Sequence, residues 1–179
     1  MSIVNGLVIG IVTDVEPGRV KLNFPWLDDK HETDWVRVAT LMSGGGRGSC
    51  FMPEINDEVL VGFEHGDTSC PYVMGFLWNG QDQPPSEHVR DRKIVSKNGH
   101  SIRFLDSTPD AGSKGALVIE DAHGNRITMS SGKVLIQSKH ILELEAAAIY
   151  LTGPELAPDG DGVTQKAWRR KVLANGNTI

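Results

Sequence analysis

The chain reads as all-β, with a small closed barrel followed by a ladder of short strands. Three observations point there. Alternating apolar and polar runs recur along most of the 179 residues, and turn formers separate them at short intervals. Composition agrees, with aromatics at 6% against 20 glycines. From Ile127 onward the apolar positions step seven to eight residues at a time, to Val134 or Leu135, Leu142 and Ile149. A ladder with that step shows one apolar and one polar stripe and buries nothing alone, so it must stack, wind or associate with copies of itself.

Residues 1–80 carry five predicted strands, Leu7–Val15, Arg19–Phe24, Asp34–Ala39, Glu58–Phe63 and Tyr72–Leu77. Pro17-Gly18, the 26–33 stretch, Ser43-Gly44-Gly45-Gly46-Arg47-Gly48, Gly66-Asp67 and Asn79-Gly80 break them. Five strands in this length fit an OB-fold barrel. A linker is predicted over 81–93, where Pro84-Pro85 favours an extended connection.

The ladder occupies 94–153. Its strands are Ser101–Leu105, Ala116–Glu120, Arg126–Ser130, Lys133–Gln137, Ile141–Glu145 and Ala148–Thr152. The register of Val134-Leu135-Ile136 stays open, because either Leu135 or its two neighbours can face inward. Six strands at a ladder spacing of about 4.8 Å make a rod of about 30 Å. Residues 154–179 form a tail, opening on a Pro- and Gly-Asp-rich loop, with a short basic helix over Ala167–Ala174.

Net charge is −5, so nucleic acid is not an expected partner. The basic clusters Arg90, Arg92, Lys93, Lys97 and Lys166, Arg169, Arg170, Lys171 read as solvated surface or protein contacts. The N-terminus lacks a signal-peptide pattern and no apolar run spans a bilayer, which predicts a protein made in the cytoplasm. Cys50 and Cys70 lack metal or redox spacing and read as small buried hydrophobes.

An ordered set of motifs resembles the central spike proteins of contractile injection machines: the phage baseplate assembly protein V family and the valine–glycine-repeat spikes of type VI secretion and related extracellular particles. The set begins with Gly18-Arg19-Val20-Lys21, Phe24-Pro25-Trp26-Leu27 and Trp35-Val36-Arg37-Val38-Ala39. Phe51-Met52-Pro53 and the runs from Asp57 to Asp67 and from Pro71 to Asn79 follow. Ser96-Lys97-Asn98-Gly99-His100-Ser101-Ile102 resembles the junction where such proteins leave the barrel. The likeness covers roughly residues 4–153.

The resemblance implies a homotrimer in which three OB-folds form a collar and the 94–153 segments wind into one intertwined trimeric β-helix, a triangular β-prism. The inward stripe is then Ile102, Phe104, Leu117, Ile119, Ile127, Met129, Leu142, Leu144, Ile149 and Leu151. The implied role is structural: a spike at the centre of a baseplate that pierces the target envelope, with transient membrane contact and no cofactor. Larger relatives carry a hub domain ahead of the barrel, and some carry a lysozyme domain. The barrel here starts near residue 4, so a separate hub protein is expected and a cell-wall hydrolase is not. Some short spikes close their tip with a His-x-His metal site. His31, His65, His88, His100, His123 and His140 include no such pair, so the tip falls to a PAAR-type protein or to 154–179. Inner-tube or other baseplate subunits are further expected partners.

Catalysis finds little footing. Asp28-Asp29 with His31-Glu32 reads as a solvated acidic turn, and Glu64-His65-Gly66-Asp67 as a bend after a strand. The Ser43–Gly48 run lacks the Lys-Ser/Thr ending of a phosphate loop. Trp26, Trp35 and Trp78 read as barrel core or trimer packing, since no basic groove accompanies them. If they instead form an open stacking platform, the alternative is an OB-fold module for single-stranded nucleic acid or oligosaccharide.

Overall fold

In the computed structural model, residues 4, 6–27, 32–108, 112–153 and 168–172 are described, with side chains as far as Tyr150. The chain divides into two compact units, residues 1–88 and 89–179.

The first unit is a closed five-stranded barrel. Its strands are β1 (Leu7–Glu16), β2 (Arg19–Asn23), β3 (Val36–Val38), β6 (Glu58–Phe63) and β7 (Pro71–Phe76), in the order β1-β2-β3-β7-β6. Between β3 and β6 the small hairpin of β4 (Ser43–Gly44) and β5 (Arg47–Gly48) takes up the glycine-rich run. The ten-residue β1 pairs with β6 through its first half and with β2 through its second. A register shift at Thr13 lets it bend from one neighbour to the other. Closure comes from β3 and β7, which run parallel with Arg37 opposite Tyr72 and Val38 opposite Val73. This is the all-β barrel expected of the N-terminal half.

Alternation builds the barrel core. Val20, Leu22 and Phe24 point inward from one side and Val12, Val59, Val61 and Val73 meet them, all buried. Gly10 occupies an inward position of β1. A Cβ there would meet Val61, Phe24 and Leu22 at 3.2–3.5 Å, so the glycine makes room for the Phe24 ring. Outward-facing Lys21 lays its ammonium 5.2 Å from the Trp35 ring and 3.1 Å from Glu32.

In the second unit β8 (Asp91–Val95), β9 (Ser101–Leu105), β10 (Ala116–Glu120), β11 (Arg126–Ser130) and β12 (Lys133–Gln137) form one antiparallel meander. β8 starts inside the stretch expected to be linker. Two of its connections repeat one geometry. Gly99 N–H bonds Ser96 O and Gly124 N–H bonds Asp121 O, with both glycines at positive φ. Ser131-Gly132 joins β11 to β12. The expectation of strands paired between intertwined chains is corrected for 91–137: each of these strands pairs with its sequence neighbour, because the connections are short enough to close hairpins.

Two further expectations are corrected. No strand lies over Ile141–Glu145. Ser138 and Lys139 are tied back to Asn125, and residues 140–148 carry no strand. The last predicted strand appears as β13 (Ile149–Gly153), paired with β14 (Trp168–Val172) rather than with β12. β14 occupies the place of the expected helix over Ala167–Ala174, its backbone groups taken up by the β13 ladder. Asp28, Asp29 and His31, the 154–162 loop and Lys166 lie outside the described residues.

Candidate functional site: the apolar face of the meander

The register of the meander sorts its residues into two faces. Ile94, Ile102, Ile119, Ile127 and Ile136 stand opposite one another in a single row across all five strands. The parallel row is Arg92, Phe104, Leu117, Met129 and Val134. Every position of this face except Arg92 is therefore apolar. Its side chains remain open to solvent in the single chain, from 37% for Ile127 and Met129 to 67% for Val134. Leu117, in the middle strand, is half-buried. β-branched isoleucines in directly opposed positions suit the pleated surface, so the row is stable as a sheet while still lacking a cover.

The other face is polar at its borders and pinned by ion pairs. Arg103 holds Asp91 through two bonds, 2.7 Å and 3.1 Å, and Lys93 approaches the same carboxylate at 3.6 Å. Arg126 bonds Glu120 at 2.8 Å. Val118, at its centre, is 6% exposed and the only buried hydrophobe among the described residues of this unit. On the apolar face the one charged residue, Arg92, is neutralised by Asp106.

One end of the sheet is organised by side chains. Asp121 Oδ1 accepts the backbone N–H groups of His123 and Asn125, and Oδ2 accepts Asn125 Nδ2. The Asn125 side-chain bond, with those backbone donors, holds the Asp121 carboxyl below the usual carboxylate range. Asn125 Oδ1 in turn accepts Lys139 N–H at 3.0 Å and the Ser138 hydroxyl at 3.3 Å. His100 Nδ1 accepts Ala122 N–H at 3.3 Å, with its ring 6.4 Å from that of His123.

Of the residues expected to face inward, the structure gathers Ile102, Phe104, Leu117, Ile119, Ile127 and Met129 on this one face. Leu142 and Leu144 lie exposed in the stretch without strand structure. Ile149 is half-buried on β13, and Leu151 lies opposite Arg170 in the β13–β14 register. The open register of 134–136 resolves with Val134 and Ile136 on the apolar face and Leu135 on the other. Ile94 is a member that sequence reasoning missed. Its strand begins Asp91-Arg92-Lys93, which hides the alternation, and only its pairing with Ile102 exposes it.

Other candidates dissolve into structure. Glu64–Gly66 forms a 3-10 turn with His65 at φ 51°, and Tyr72 donates to Glu64 at 2.5 Å. That bond raises the Tyr72 hydroxyl above its ordinary value. Glu32 accepts from Thr13 and Lys21, which hold its carboxyl low. Cys50 and Cys70 are exposed free thiols, not buried hydrophobes, because both sit in connections outside the barrel core. Trp26, Trp35 and Trp78 also stand outside that core, which valines, Leu22 and Phe24 fill. Among the described residues, no group of three or more His, Cys, Asp or Glu is placed to hold a metal ion, and no helix is long and apolar enough to cross a membrane.

Comparison with known proteins agrees with this geometry. Residues 4–78 match the family described as the type VI secretion system/phage-baseplate injector OB domain. The chain is 34% identical over 111 residues to the type VI secretion system spike protein VgrG5 of Pseudomonas aeruginosa, covering 60% of this chain and 13% of that one. It is 38% identical over 85 residues to VgrG2a of the same organism, covering 45% and 10%. With VgrG1a it shares 36% identity over 76 residues, covering 39% and 12%. The chain thus spans a small fraction of the length of these relatives. Over residues 4–78, less than half of its length, the chain is similar to the injector OB domain of type VI secretion systems and phage baseplates, and over 76–111 residues it is similar to type VI secretion spike proteins.

Proposed function

We propose that this chain is the structural spike of a contractile injection machine, acting as a homotrimer that is driven mechanically through a target envelope. The observation that carries the reading is the two-row apolar face of β8–β12, left open in one chain. Five-residue strands give a face only two side chains wide, so a second flat sheet would leave its flanks wet. Three such faces closing on a common axis cover one another, with the ion-paired faces outward. Neither row offers a nucleophile, a base or a metal set, and stiffness is the property such a prism supplies. A separate hub protein and a PAAR-type tip are the partners this reading requires, with inner-tube contacts at the barrel end.

Light scattering on the full chain tests the proposal. A mass three times that of the 19.5 kDa chain, retained in mild detergent, is the expected result. A monomer at micromolar concentration overturns it.

A further inference from the structure

We infer that the barrel carries a docking cleft for a basic side chain, lysine or arginine, presented by a partner protein. The cleft, of about 430 Å³, forms where the chain leaves β2 and enters β3, against the connection from β6 to β7. Four aromatic rings line it. Phe24 is buried and packs against both Trp26 and Phe63, with ring centroids 6.0 Å and 5.9 Å away. Trp26 and Trp35 stay 49% and 36% exposed. Glu32 and Asp34 also line the cleft, and among the described residues no lysine, arginine or histidine does.

The chain itself shows how such a surface takes a cation. Lys21 sets its ammonium 5.2 Å from the Trp35 ring centroid and 3.1 Å from Glu32. That pair satisfies the charge of Glu32. Asp34 has no ion-pair partner among the described residues, so one negative charge is left over beside the open Trp26 ring. A second cation meets both. A phosphate would be repelled, which sets nucleic acid aside, and an uncharged apolar group would strip water from Asp34 without replacing it. A bare metal or ammonium ion would leave the rings and the exposed Leu27 wet. Lysine and arginine carry a hydrocarbon stem for the apolar lining and a charged head for the carboxylate. The cleft lies wholly within the barrel, so the inference stands apart from the association of copies.

Fluorine NMR on the full chain, labelled with 5-fluorotryptophan at its four tryptophans, tests the cleft. The probes are acetyl-Gly-Lys-Gly-amide, its arginine counterpart, its uncharged norleucine counterpart and tetramethylammonium. The lysine or arginine peptide should shift the Trp26 and Trp35 resonances and leave that of Trp78 in place, while the norleucine peptide shifts none. Asp34→Asn, which changes an exposed carboxylate, should weaken the lysine or arginine peptide by about two- to fivefold, the size of one exposed charge pair. An unchanged Trp78 resonance in that variant shows that the barrel remains folded. Equal shifts from the norleucine peptide, unaltered affinity in Asp34→Asn, or no shift at Trp26 and Trp35 overturns the inference. Tetramethylammonium binding as tightly as the peptides assigns the cleft to a small free cation or headgroup, and overturns the partner side chain.

Discussion

Ile127 stands directly opposite Ile119 across the β10–β11 pair, in the middle of an isoleucine row that runs across all five strands of the meander. Their own chain leaves Ile127 37% and Ile119 41% exposed. Ile127→Asp therefore costs the isolated sheet little, yet in a prism it sets three carboxylates beside one axis without partners. The expected outcome is loss of trimer mass by light scattering with the barrel still folded. Ser130→Asp, on the opposite face, should leave the mass unchanged.

The barrel depends on a small core, and Leu22 is among its fully buried members. Leu22→Ala removes its packing against the surrounding valines and should destabilise the barrel by about 2–5 kcal/mol. Chemical denaturation followed by tryptophan fluorescence measures it, since Trp26 and Trp35 border that core.

Gly115 precedes β10 at φ 89°, and a Cβ there would lie 1.7 Å from Leu105 O. Gly115→Ala combines a left-handed backbone with a backbone collision, so the Leu105–Ala116 end of the β9–β10 pair must open. A loss of about 2 kcal/mol or more is expected in thermal unfolding of the meander. Gly132→Ala, at φ 69° with open space around it, should cost less.

The Asp121 network predicts acid sensitivity. Its carboxyl is held below the ordinary value, first by the Asn125 side chain. A lowered folded value favours the carboxylate in the folded state. Its contribution is therefore complete above the unfolded pKa of about 3.9 and is lost as pH falls from there through the folded value. Melting of wild type should decline below about pH 4, and Asp121→Asn should flatten that decline while lowering the plateau near neutrality.

Much of this architecture is legible in local sequence. The strands over 101–105, 116–120, 126–130 and 133–137 emerge at the residues where alternation places them, because side-chain alternation belongs to the strand itself. Glycines at positive φ mark their turns for the same local reason. Ile94 and the 134–136 register were not legible, because membership of a face is decided by what a strand pairs with. The Asp91–Val95 strand is too charged to announce itself, and Leu135 and its neighbours are equally apolar.

Alternation and turn chemistry thus specify an all-β chain with a barrel and a two-faced ladder. Tertiary pairing alone assigns Cys50, Cys70, Trp26, Trp35 and Trp78 to the outside, sends β13 to β14, and ends the meander at β12. The physical reason is range. A strand's faces follow from neighbouring residues, whereas where a sheet ends depends on hydrogen bonds to groups distant in sequence, such as those that Asn125 Oδ1 accepts from Ser138 and Lys139.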